Sequence, residues 1–176
     1  MIISLDEAQK LDKSATEETC DGLEIMIRKL TNNNFQVVNF RCEGLILLDK
    51  TIRVSDGRLD IFKVGDTIEI NGTHYNDGLY TVKNASVDTL TVDGDFISEV
   101  NSEAILTLVR YPSDVLSGVK KLLAYDAKMA DKIGIKSEFI SRWSVTYYDV
   151  TSSETEEGYP SSLLGFLKKY RKIRWS

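Results

Sequence analysis

Histidine is nearly missing from this chain: His74 is the only one in 176 residues. It sits in a Gly/Asn-rich turn, with no Cys or Asp placed in sequence to orient it, and reads as an exposed loop residue. Cysteine is scarce as well. Cys20 and Cys42 lack metal-ligand spacing, so two reduced thiols in a cytoplasmic protein are expected. No apolar run approaches the roughly 20 residues that span a membrane. The opening "MIISLDEAQKLDK" has no basic start before an apolar core, so no signal peptide is expected. G-x-x-x-x-G-K-[ST], G-x-S-x-G and H-E-x-x-H are all absent. Carboxylates are plentiful, but no pair sits in an evident apolar pocket that would split their pKa values. An enzyme is therefore not expected, and no cofactor or metal is implied. The net charge of −5 argues against a broad grip on DNA, which takes many Lys and Arg contacts to phosphate. It leaves room for a protein that DNA passes without sticking.

Hydrophobic residues make up 42% and charged residues 28%, which suits a globular chain of one domain or two small ones. "LDEAQKLDK" predicts a short first helix, with Ser4 as N-cap and Glu7 three residues on. In "TEETCDGLEIMIRKLTNNN", Cys20, Leu23, Ile27 and Leu30 form one amphipathic stripe. Thr16 caps its start, Glu17 and Glu18 suit its positive end, and Asn32 to Asn34 suit its close.

The period changes at Phe35. "QVVNF", "LILL", "TIRV", "DTIEI", "LYTVK", "TLTV" and "AILTLV" read as six or seven short strands, separated by "SDGR", "NGTHYNDG" and "DGD". They predict a small barrel or sandwich. "QVVNF" and "AILTLV" could pair antiparallel and bring the ends of this block together. Asp88, Asp93 and Asp95 suggest calcium only loosely, because EF-hand spacing is missing; a turn is the simpler reading. "NGTHYNDG" has residue types that suit sugars, but a hairpin turn explains it more simply.

Helical period returns at Pro112. "PSDVLSGVKKLLAYDAKMADKIG" puts Val115, Val119, Leu122, Leu123, Met129 and Ala130 on one side, and Gly134 ends it. Next comes "EFISRWSVTYYDV", read as one isolated strand with Trp143, Val145 and Tyr147 on one face and Arg142, Ser144, Thr146 and Tyr148 on the other. An acidic loop, "TSSETEEGYP", carries Glu154, Glu156 and Glu157. "SSLLGFLKKYRKI" predicts a last helix with Leu163, Leu167 and Tyr170 on its stripe. The tail "KKYRKIRWS" gathers Lys168, Lys169, Arg171, Lys172, Arg174 and Trp175. It reads either as a solvated helix end or as a docking segment of residue types enriched in interface hot spots.

The expected fold is α+β: a small helical domain of residues 1–35 and 110–176, interrupted by an inserted all-β barrel or sandwich module of residues 36–109. An insertion is tolerated where its two ends lie together. "ISRWSVTYYD", the acidic loop, "GYPSSLLGFLKKYRKIRW", the upstream "SDVLSGVKKLLAYDAKM" and the opening "MIISLDEAQKL…EETCDGLEIMIRKLTNNNF" together resemble the head-tail connector proteins of tailed bacteriophages and prophages. These are also called head-completion or adaptor proteins. The resemblance covers about residues 1–35 and 110–176; the β block departs from the family's short form.

The resemblance implies a virion structural protein, made in the bacterial host cytoplasm. It would self-assemble into a ring of about twelve copies under the portal. Its partners would be further copies of itself, the portal protein and a tail-side connector or tail completion protein, and DNA would pass through the central channel. On this expectation Arg142, Trp143, Val145, Tyr147 and Tyr148 lie at the subunit interface, since an isolated strand needs a partner for its edge groups; the alternative is a strand within the monomer core, paired to a strand of the β block. Lys168, Lys169, Arg171, Lys172, Arg174 and Trp175 dock on the portal, and Glu154, Glu156 and Glu157 face the DNA. The alternative is a non-enzymatic binding protein whose β module recognises carbohydrate or a tail component.

Overall fold

Side chains that cap main-chain donors set the starts of the first two helices. Ser4 Oγ accepts from Glu7 N–H at the head of α1 (Leu5–Gln9). α2 (Glu17–Thr31) opens with a reciprocal box: Thr16 Oγ1 accepts from Thr19 N–H, and Thr16 N–H donates to Thr19 Oγ1. It closes at Asn32, whose φ of 46° is left-handed, as Asn tolerates. Cys20, Leu23 and Ile27 are buried along its stripe. Glu24 is buried too, and its carboxylate accepts from the N–H of Ile2 at 3.0 Å.

The computed structural model describes residues 1–54, 58–130, 137–140, 143–146 and 155–173. The fold is mixed α and β with an antiparallel sheet. The chain divides into two compact units, one of Met1 with Asn34–Tyr111 and one of Ile2–Asn33 with Pro112–Ser176.

In the first unit the expected short strands fuse into fewer, longer ones. β1 (Gln36–Val54) absorbs "QVVNF", "LILL" and "TIRV", and β4 (Leu90–Val109) absorbs "TLTV" and "AILTLV". Between them run β2 (Thr67–Asn71) and β3 (Gly78–Ala85). Bulges carry β1 through its apparent breaks: the register with β4 shifts between Glu43 and Leu45 and between Leu47 and Asp49, with Gly44 and Asp49 at positive φ. β4 borders β1 along one side. On its other side the C-terminal half pairs with β2 and the N-terminal end with β3, while β2 and β3 pair with each other. The enclosed core includes Leu45, Leu47, Ile52, Phe62, Ile68 and Leu106. The ends of the unit meet at Gln36↔Val109.

In the second unit α3 (Ser113–Met129) buries Val115, Gly118, Val119, Leu122 and Leu123. Its last residue is Met129 and Ala130 is exposed; Gly134, expected to end it, lies outside the described residues. The stretch expected as one isolated strand holds two short strands that pair with each other: β5 (Ser137–Ile140) runs antiparallel to β6 (Trp143–Thr146) in the register Ile140↔Trp143. A second hairpin joins β7 (Thr155–Glu156) to β8 (Tyr159–Pro160). The expected last α-helix is a 3₁₀-helix, Gly165–Tyr170. At three residues per turn the buried edge becomes Leu164 and Leu167, with Tyr170 half-buried, so Leu164 takes the place expected for Leu163. A six-residue segment containing Gly165 gains little from α propensity. Side contacts hold its end instead: Lys172 N–H donates to Thr31 O at 2.8 Å, and Asn33 Nδ2 to Tyr170 O at 3.2 Å.

Candidate functional site

The second unit joins the acidic and basic segments that look separate in sequence. Glu157 and Gly158, both at positive φ, form the turn between β7 and β8. That turn presents Glu156 to Arg171, whose guanidinium donates to both carboxylate oxygens, at 2.9 and 3.1 Å. Two residues earlier, Lys169 Nζ lies 2.7 Å from Asp114, and the Tyr170 hydroxyl donates to the same carboxylate at 2.6 Å. Lys169 first, then Tyr170, hold the Asp114 carboxyl below the usual range, and Asp114 holds Lys169 above its own. Asp114 lies in the first turn of α3, where the helix dipole also favours a negative charge.

Of the residues expected to dock on a portal, Lys169 and Arg171 are thus engaged within this unit. Lys168 and Lys172 are exposed, and Ile173 beside them is 77% exposed. Of the acidic residues, Glu156 is paired and Glu157 is exposed on the turn. Trp143 and Val145 belong to β6. Arg142, Tyr147, Tyr148, Glu154, Arg174 and Trp175 lie outside the described residues.

Behind the acidic hairpin, the Tyr159 hydroxyl donates to Asp126 on α3 at 2.6 Å, and the ring of Tyr159 stands 5.9 Å from that of Tyr125. Burial raises the Asp126 carboxyl above its ordinary value, and the Tyr159 bond offsets part of that rise. Burial, then the Asp126 bond, pushes the Tyr159 hydroxyl up.

The β unit has a polar hub of its own at the β2–β3 loop. Asn76 is buried and acts as a missing ladder partner for β4: its Nδ2 donates to Ile97 O and its Oδ1 accepts from Ile97 N–H, both at 2.9 Å. Glu99 collects donors from His74 N–H, Asn76 Nδ2 and Asn101 Nδ2, and its Oε1 lies 3.0 Å from His74 Nδ1. The Asn101 bond first, then the His74 N–H, pull its carboxyl down to about 2. Asp77 accepts from Thr73 N–H and Oγ1. Of the groups that suggested sugar recognition, Asn76 therefore bonds to β4 and Asp77 to Thr73 within the loop, whereas the His74 and Tyr75 side chains face solvent. Asn76, Glu99, Asn101 and Asp114 were not singled out in the sequence. Turn-forming types mark Asn76 locally, but its partners lie more than 20 residues away.

No protein-family model and no curated protein matches the chain.

Proposed function

We propose that the protein is a non-enzymatic structural component of a tailed bacteriophage. It forms a ring beneath the portal that joins the DNA-filled head to the tail, within the virion. The observation that carries this reading is the composition of the second unit. Ile2–Asn33 and Pro112–Ser176, far apart in sequence, gather into one unit, and they are nearly the same stretches that resemble head-tail connectors. On this reading the chain is a helical connector domain with an inserted β module, and the module decorates the ring.

The charges support the same reading. Glu157 is exposed at a hairpin tip, where carboxylates repeated around an axis would repel phosphate and keep DNA mobile. The β5–β6 hairpin offers an outer strand edge that a neighbouring copy could extend. The test is electron microscopy of the purified protein with and without the matching portal protein, alongside a pull-down. Rings stacked on the portal are expected. Folded protein that neither forms rings nor binds the portal would remove the reading.

A further inference from the structure

The outer face of the β1–β4 ribbon carries an apolar patch. Register sets it: Ile46 lies opposite Val100, with Leu47 opposite Glu99 and Asp49 opposite Phe96. Three β4 steps against two in β1 make a bulge, and Ile97 and Ser98 are both exposed there. Leu48 is exposed in the same stretch of β1. Val100 is 79% exposed and Ile97 58%, and the Asn76 clamp fixes the backbone of Ile97. Exposed Tyr75 stands in the same loop as Asn76. Exposed apolar side chains grouped on a rigid strand pair mark an interaction surface.

The surroundings are acidic. Glu43, Asp49, Asp77, Asp95 and Glu103 are exposed around this stretch. Cations are fewer: Lys50 sits 3.6 Å from Asp95, and Arg41 is exposed two residues from Glu43. Such a rim repels nucleic acid and anionic membrane. It suits a protein segment with an apolar centre and cationic flanks. The chain carries one: Ile173 and Trp175 are flanked by Lys168, Lys172 and Arg174.

We propose that the C-terminal segment Lys172–Ser176 of a second copy occupies this patch. Patch and segment are different surfaces, so the contact is heterologous and repeats from one copy to the next. The proposal rests on the ring reading and gives it a defined subunit contact; the tail expected to meet the portal turns instead to the neighbouring copy.

The test uses a fluorescein-labelled peptide of Lys168–Ser176, titrated into the full chain and followed by anisotropy. Binding is expected, weakening as salt screens the rim. Val100→Asp and Ile97→Asp should each weaken it by about tenfold or more. Both sites are exposed, and circular dichroism checks that each variant folds. Sedimentation then asks whether Val100→Asp protein and chain ending at Arg171, each unable to self-associate, form a one-to-one pair when mixed. No peptide binding, or equal binding by folded variants, overturns the contact. Rings formed equally well by Val100→Asp protein remove the contact and leave the ring reading standing. Peptide binding at this patch by protein that never rings or meets the portal has the opposite result.

Discussion

The ring of Phe35 stands 5.0 Å from the ring of Tyr111, and the N–H of Arg110 donates to the carbonyl of Phe35 at 3.0 Å. These residues mark where the chain enters and leaves the β unit, and both side chains are buried. Phe35 holds this position with φ at 53°, a left-handed conformation that costs a non-glycine residue roughly 1–2 kcal/mol.

That strain predicts an inverted order of substitutions. Phe35→Ala loses the ring and keeps the strained backbone, at a cost of about 3–5 kcal/mol. Phe35→Gly loses the same ring but relieves the backbone, so it should be more stable than Phe35→Ala by about 1 kcal/mol. Urea unfolding of the two variants measures the difference. An alanine variant at least as stable as the glycine variant would mean that the conformation is not strained.

A second prediction concerns Gly118, buried on α3. A Cβ there would overlap the ring of Phe166. Gly118→Ala should cost about 1–3 kcal/mol from overpacking, although alanine is the better helix former. Adding Phe166→Leu should recover part of the loss. A double-mutant cycle by thermal unfolding reads the coupling, and additive effects would show that the two sites do not meet.

Much of this fold is legible in the sequence where local rules decide the outcome. Thr16, Asn32 and the Cys20–Leu23–Ile27 stripe bound and orient α2 because caps and period act within a few residues. β1 is harder to see. Gly44 and Asp49 look like breaks, but the strand continues through them because β4 follows on its other side, and that partner is more than 40 residues away. The β5–β6 pairing is hidden in sequence because "SEFISRWSVT" contains none of the Gly, Asn or Asp that announce a tight turn. In the candidate site, the charge runs are plain in sequence but their pairings are not. Arg171 meets Glu156, and Lys169 meets Asp114 across a separation of 55 residues, so only the packed unit reveals which charges remain available.

Asp126 predicts a charge effect on stability. Its folded carboxyl titrates above the ordinary 3.8, so the folded unit carries a cost wherever Asp126 is ionised. As pH falls through the raised value toward 3.8, the folded state takes up its proton first and the cost disappears. Asp126→Asn keeps an oxygen to accept from the Tyr159 hydroxyl. It should match or exceed the parent at pH 7, by less than about 1 kcal/mol, and lose that advantage in acid. Tyr159→Phe removes the donor and should destabilise at pH 7. Thermal midpoints against pH check both, and an Asp126→Asn variant that is less stable at pH 7 would contradict the assignment.

Glu99 predicts the opposite slope. Its folded carboxyl lies at about 2, against an ordinary 4.5. A depressed carboxyl contributes stability in full above 4.5 and loses it as pH falls toward 2, because the unfolded chain takes up the proton first. Glu99→Gln offers one accepting oxygen where the carboxylate offers two, and its amide must face the donors of Asn76, Asn101 or His74. The variant should therefore be less stable than the parent at pH 7, and the gap should narrow between pH 4.5 and 2. The loop is also the clamp on Ile97, so amide exchange at Ile97 should quicken in the variant at pH 7. A gap that stays constant across that acid range would show that the Glu99 charge does not hold the loop. Unchanged exchange at Ile97 would show that the Asn76 amide holds the strand without help from Glu99.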